Sequence, residues 1–151
     1  MDPHVQSEPI GLLLAQVSKL HHARACALLE ELGLYRGQPQ MLRALWEQEG
    51  QTHTELGRHL HVRPSTVTKM LKRMEKTGFV ERRHDAEDHR VSRVYLTEAG
   101  RSIQDGVQRV WRTLEEETFA ELTPEERMLL RRLFLQLREN LMRATGGKPP
   151  F

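Results

Sequence analysis

Five polar side chains on one side of a helix-length stretch carry the clearest chemistry in this chain. At 3.6 residues per turn from Pro64 to Thr77, Ser65, Thr66, Lys69, Lys72 and Arg73 share a side, with Thr68 at its edge. Val67, Met70, Leu71 and Met74 fall on the opposite stripe, which must face a core. Short hydroxyls offer hydrogen bonds to base edges, and ammonium and guanidinium groups offer charge to phosphates. A basic helix taken alone is usually just a solvated face. What raises the nucleic-acid reading is its setting.

A second helix precedes it closely. Thr52 and Glu55 have the spacing of a capping box, Leu56, Leu60 and Val62 supply a small apolar side, and Pro64 suits a first helical position. After Gly78, Phe79-Val80 begins a strand running into Glu81, Arg82 and Arg83. The charged loop 84–90 follows, and Val91 to Leu96 returns as a strand with Val94 and Leu96 in alternation. Helix, helix, hairpin is the order of a winged helix-turn-helix. In that arrangement Arg63, Arg82, Lys72 and Arg73 are expected at phosphates, and Arg90, near the loop tip, in a narrow minor groove. Asp85 and Asp88 are expected to hold the loop and orient Arg90.

Four linked motifs here resemble those of the MarR family of bacterial transcription regulators. They are Pro64-Ser65-Thr66-Val67-Thr68-Lys69, Gly78-Phe79-Val80-Glu81-Arg82, Asp85-Ala86-Glu87-Asp88-His89-Arg90 and Leu96-Thr97-Glu98-Ala99-Gly100. One departure is Arg63, where a small N-cap such as Ser is common in the family. The resemblance extends more weakly to the flanking helices. It implies a homodimer on a pseudo-palindromic operator in double-stranded DNA, with a small aromatic or phenolic ligand as effector. The lining residues expected for such a ligand are His21, Arg24, Met41, Trp46 and Trp111, which combine cations with flat apolar faces.

The totals agree with that picture only once they are divided. The 151 residues suit one domain and carry a net charge of +2, which by itself points to no nucleic-acid partner. Residues 52–97, however, hold ten Lys/Arg against six Asp/Glu, and the remainder holds thirteen against fifteen. The positive charge is concentrated on the expected DNA-binding segment. One cysteine, Cys26, excludes an intrachain disulfide and fits a reducing cytoplasm. The polar start, MDPHVQSEP, is unlike a signal peptide, and no apolar run is long enough to span a bilayer. The expected location is therefore the cytoplasm, at the nucleoid.

The flanks read as helices. Residues 1–8 look like a loose arm, and Ile10, Leu13, Leu14, Val17, Leu20, Leu28 and Leu32 recur at helical spacing up to Gly33. Arg24 interrupts that stripe, either lining a cavity or forming a surface ion pair. A helix from Gln38 to Glu49 places Met41, Leu42, Leu45 and Trp46 on a core face, and Gln51 adds a short strand to the wing. Thr97 caps a helix from Glu98 to about Phe119 with Ile103, Val107, Val110, Trp111 and Leu114 on one side. Thr123-Pro124-Glu125-Glu126 restarts a helix that carries Leu129, Leu130, Leu133, Phe134, Leu137 and Leu141 to about Ala144, before 146–150 frays. The expected fold is mainly α with a small β-hairpin wing. Residues 38–97 form a winged-helix lobe; 9–33 and 98–144 form a helical dimerisation region, the dimer being implied by the resemblance.

Other chemistry is thinner. His22 and Cys26 stand four apart on a helix and could face one ion or act as a redox pair, but a metal site needs further ligands. His53, His59, His61, His84 and His89 cluster in the lobe, where simple solvation is the expected fate. No glycine-rich phosphate loop, nucleophile elbow or carboxylate pair in an apolar setting suggests an enzyme, and neither a cofactor nor a resident metal is expected. The rival readings are a non-specific architectural DNA binder and a regulator responding to metal or oxidant through Cys26 and His22. Ser65, Thr66 and Thr68 favour sequence-specific readout over the former.

Overall fold

Alternating caps and apolar stripes divide the described residues into six helices and three short strands. The computed structural model describes residues 8–147; the expected N-terminal arm and the last part of the C-terminal tail lie largely outside them. The elements are α1 (Ile10–Glu30), α2 (Gln38–Glu47), β1 (Gln51–Thr52), α3 (His53–His59), α4 (Pro64–Thr77), β2 (Val80–His84), β3 (Ser92–Leu96), α5 (Glu98–Thr118) and α6 (Pro124–Ala144). The fold is mainly helical with a β wing, as the sequence predicts. Two compact units are distinguished, Met1–Leu114 and Glu115–Phe151.

In the first unit a single core gathers Leu28 and Leu29 of α1, Met41, Leu42 and Leu45 of α2, Leu56 of α3, and Val67, Leu71 and Met74 of α4. Val80, Val94 and Leu96 reach it from the wing, and Val107, Val110 and Leu114 from α5. The three strands are antiparallel in the order β1-β3-β2, with Gln51 opposite Val94 and Arg82 opposite Val94 from the other side. Gln51 thus pairs with the wing as expected, and its buried amide N–H₂ donates to the carbonyls of Ala44 and Gln48. That bond also explains why α2 ends at Glu47 rather than Glu49: Gln48 is already extended, and its carbonyl is taken by a side chain.

Local chemistry fixes the joints. The capping box at α3 is complete, with Glu55 N–H donating to Thr52 Oγ1 at 3.2 Å and Thr52 N–H donating to Glu55 Oε2 at 2.8 Å. Gly78 ends α4 in the left-handed region at φ 83°, where a side chain would be strained. Thr97 donates to the Gly78 carbonyl and accepts from Gly100 N–H, so it links the end of α4 to the start of α5. A Cβ at Gly100 would lie 2.1 Å from the Phe79 carbonyl oxygen, so that position requires glycine for close approach. Val62, expected on the apolar side of α3, instead lies beyond that helix and is exposed.

The second unit holds the last turn of α5, a turn through Glu121 and α6. Thr123 and Glu126 form a second complete capping box, with bonds of 3.2 and 2.9 Å. Arg127 donates to the carbonyls of Phe119 and Leu122 and so ties the turn to the helix start. Not one residue of α6 is buried, although Leu129, Leu133, Phe134, Leu137 and Leu141 lie along it.

Candidate nucleic-acid interface

Burial of Val67, Leu71 and Met74 against the core fixes which side of α4 faces outward. The outward residues are Ser65, Thr66, Lys69, Lys72 and Arg73, all exposed, with Arg63 exposed at the N-cap position. Arg63 makes no side-chain cap bond, so its guanidinium is not spent on the helix start. Further along, Lys69, Arg73 and Lys76 share an open cavity of about 460 Å³ with Arg36 from the turn between α1 and α2. Lys76 extends the same helix side by spacing, three residues beyond Arg73, whereas Arg36 joins this positive flank without any local sequence signal. Arg36 and Lys69 lie far apart in the chain, and only folding brings them together.

Thr68 behaves differently from its neighbours. It is half-buried, its hydroxyl lying 3.0 Å from the Pro64 carbonyl oxygen and 3.1 Å from His53 Nδ1. His53, at the start of α3, is therefore not simply solvated as the sequence suggests. Its Nε2 is buried and makes no hydrogen bond among the described residues. Burial, reinforced by the nearby Arg82 charge, lowers the pKa of His53 and favours its neutral form, with Glu75 opposing.

The wing is braced by Arg93, a residue to which the sequence assigns no role. Arg93 donates to the Gly50 carbonyl at 2.8 Å and to Asp85 Oδ2 at 3.1 and 3.2 Å, and it lies 3.8 Å from Glu55. Asp85 therefore holds Arg93, while Asp88 receives the backbone N–H of Arg90 at 3.0 Å. The expectation that both carboxylates orient Arg90 is corrected: only its backbone is held, and its side chain is exposed near the loop tip. The backbone N–H of Glu87 donates to Asp85, which with the Arg93 guanidinium holds the Asp85 carboxyl below the ordinary carboxylate range. Arg82 is engaged as well, donating to Glu75 Oε1 at 2.6 Å. This anchors β2 to α4 and sets part of its charge against a carboxylate.

The five residues expected around a ligand are separated by the fold. Trp46 and Trp111 line one open cavity of about 540 Å³ with Pro39, Arg43, Gln104 and Gln108. Trp46 donates its indole N–H to the Gly100 carbonyl at 2.9 Å, leaving ring surface for the cavity. Trp111 is 47% exposed, so it stands off the buried stripe of α5 on which it was expected. Met41 is completely buried and belongs to the core rather than to a cavity wall. His21 and Arg24 are exposed on α1 and are not among the residues lining this cavity. Cys26 Sγ lies 3.6 Å from His22 Nε2, and among the described residues no group of three metal-ligating side chains forms. No helix among the described residues is long and apolar enough to cross a membrane.

Comparison with known proteins bears on the family and the fold. The family model described as MarR family matches residues 34–92, which run from the turn before α2 through the wing loop. The HTH-type transcriptional repressor Rv2887 of Mycobacterium tuberculosis is 31% identical over 126 residues, covering 83% of this chain and 91% of that protein. The HTH-type transcriptional regulator TtmR of Methylorubrum extorquens is 39% identical over 64 residues, covering 42% of this chain; the match spans only 33% of TtmR. Among solved structures, the reduced form of MarR from E. coli has 27% identity and a TM-score of 0.72, covering 86% of this chain and 96% of that one. A mutant of MepR from S. aureus, bound to an oligodeoxyribonucleotide, has 22% identity and a TM-score of 0.68, with 89% and 99% covered, a likeness of fold.

Proposed function

This chain belongs to the MarR family, and from that membership we propose that it is a homodimeric, sequence-specific DNA-binding regulator of transcription. It acts as a repressor released by a small effector. The observation that carries the reading is the outward side of α4: exposed hydroxyls and cations, backed by a buried apolar stripe and flanked by a braced wing. Ser65, Thr66, Thr68 and Lys69 face the major groove, Arg63, Lys72, Arg73 and Arg82 the phosphates, and Arg90 the minor groove. Arg82 does so while retaining its bond to Glu75, which lowers its net contribution. A rigid helix bearing charge at intervals of one turn suits the regular spacing of phosphates along a groove.

Dimerisation is supported by apolar surface that neither unit covers by itself. On α1, Ile10, Leu12, Val17 and Leu20 are each at least half exposed, and on α6 the same is true of Met128 and Leu141. Burying such side chains against a second copy gains about 25 cal/mol per Å². A two-fold dimer calls for half-sites about one helical turn, roughly 10 bp, apart. The open cavity that Trp46 and Trp111 both line is the place for an effector with a flat aromatic body. To release DNA it must bind the free form more tightly than the DNA-bound form.

The test is selection of bound fragments from a random DNA pool at physiological salt. One enriched pseudo-palindrome is the expected result. Tight binding without enrichment would replace this reading with that of an architectural binder, and no binding would remove it. Release of the selected fragment by salicylate-like compounds tests the effector.

A further inference from the structure

The hydroxyl of Thr68 has one proton, and both of its partners lie on the protein side. The Pro64 carbonyl oxygen is 3.0 Å away and His53 Nδ1 is 3.1 Å away. A ring proton on His53 Nδ1 satisfies all three groups: Nδ1–H donates to Oγ1, and Oγ1–H donates to Pro64. With the proton on Nε2 instead, Thr68 donates to Nδ1. In either tautomer the hydroxyl proton is spent inside the protein, so Thr68 has none to offer a base acceptor. The threonine Cβ carries only a hydroxyl and a methyl as heavy-atom substituents. With the hydroxyl turned inward on a half-exposed residue, the methyl is left for the groove.

Resting on the regulator reading above, we propose that Thr68 recognises the 5-methyl group of a thymine through its own γ-methyl, and that His53 is the positioning residue that holds it so. Thymine is the one base of ordinary DNA that presents a methyl group in the major groove, and apolar contact is the chemistry that recognises it. His53 sits between α3 and α4, where Glu75 and Arg82 are the charged groups that act on it. Its buried Nε2 finds no protein partner among the described residues, so Thr68 is the side chain that the ring serves. Ser65 and Thr66, both exposed, divide the work with Thr68: they are open to donating as well as accepting, whereas Thr68 has no donor left and offers its methyl.

The experiment replaces each thymine of the selected operator in turn by deoxyuridine, which removes only the methyl, and measures affinity of the full chain by fluorescence anisotropy. The wild type should lose about fourfold at one thymine per half-site, the size expected for one buried methyl group. Thr68→Val, which keeps a methyl, should retain that penalty, and Thr68→Ser should abolish it. His53→Leu should reduce the thymine-to-deoxyuridine ratio at that position while leaving the salt dependence of binding unchanged, a pattern that a general loss of structure would not produce. Equal affinity for thymine and deoxyuridine at every position of a sharply enriched operator would overturn this inference alone. So would a penalty that survives in Thr68→Ser. Failure to enrich any sequence would overturn both this inference and the regulator reading.

Discussion

Helices α4 and α6 are both amphipathic, yet the fold treats their two sides in opposite ways. In α4 the apolar stripe is covered, with Val67, Leu71 and Met74 at 0% exposure, and the side left open is polar and cationic. In α6 no residue is buried, and large apolar side chains from Met128 to Met142 are exposed among the described residues. A cationic surface suits a polyanion, because charge remains hydrated until phosphates displace counterions. An apolar surface suits another apolar surface, because its exposure to water carries a standing cost. The kind of surface that each helix leaves open indicates the kind of partner it awaits.

Charge introduced on α6 should have the largest effect. Phe134→Glu would place an unpaired carboxylate in the proposed seam, weakening association by about 3–5 kcal/mol. Sedimentation velocity at micromolar concentration should then show monomer where the wild type shows dimer; an unchanged dimer would remove α6 from the seam. Next is a pair of truncations that separates the two helices. Leu71→Ala should cost about 2–5 kcal/mol at any protein concentration, as a cavity in a closed core does. Leu137→Ala should destabilise the associated protein and cost little on dilution, and urea midpoints at two concentrations would decide. An equal, concentration-independent loss at both positions would break the contrast.

On the polar side, Arg90→Ala should weaken operator binding by about 1–3 kcal/mol, the range for a direct contact. Lys72→Ala should weaken binding to all sequences alike and lower the salt slope by about 1. Unchanged affinity in Arg90→Ala would mean that the wing tip does not touch DNA. The smallest effect concerns pH. The folded state lowers the pKa of His53 below its ordinary value of about 6.5, so on acidification the unfolded chain takes up the proton first. Stability should therefore hold above that value and fall as pH drops through the window towards the lower folded pKa. His53→Leu should flatten this component of urea midpoints measured between about pH 7.5 and 5.5. An unaltered pH profile in the variant would show that His53 is not its source.

Much of the lobe was legible because its signals are local. The capping box at Thr52 and Glu55, the proline at the start of α4, the glycine at its end and the i, i+3, i+4 apolar spacing all act within a few residues of themselves. The side of α4 that carries Lys69, Lys72 and Arg73 follows from that spacing alone. What was not legible depends on residues far apart in the chain. His53 and Thr68 meet across fifteen positions, Trp46 and Gly100 across fifty-four, and Arg93 reaches Gly50 across forty-three. Arg93 braces the wing because the register sets it opposite Thr52, near Glu55, and Asp85 is within its reach. Met41, expected beside a ligand, is completely buried for a related reason. Spacing sets its place on α2, but whether that place faces a cavity or the core depends on what packs above it.

Local sequence was enough to say which segments are helix or strand and, Val62 and Trp111 apart, where most of them end and which residues of each helix face the core. Those properties arise from backbone geometry and nearest-turn chemistry, and they need no distant partner. Packing between distant segments decided which apolar stripes find cover, which charges are spent on one another, and which hydroxyl of α4 turns inward. Those outcomes depend on close packing and on hydrogen-bond geometry, where an ångström separates a partner from a neighbour.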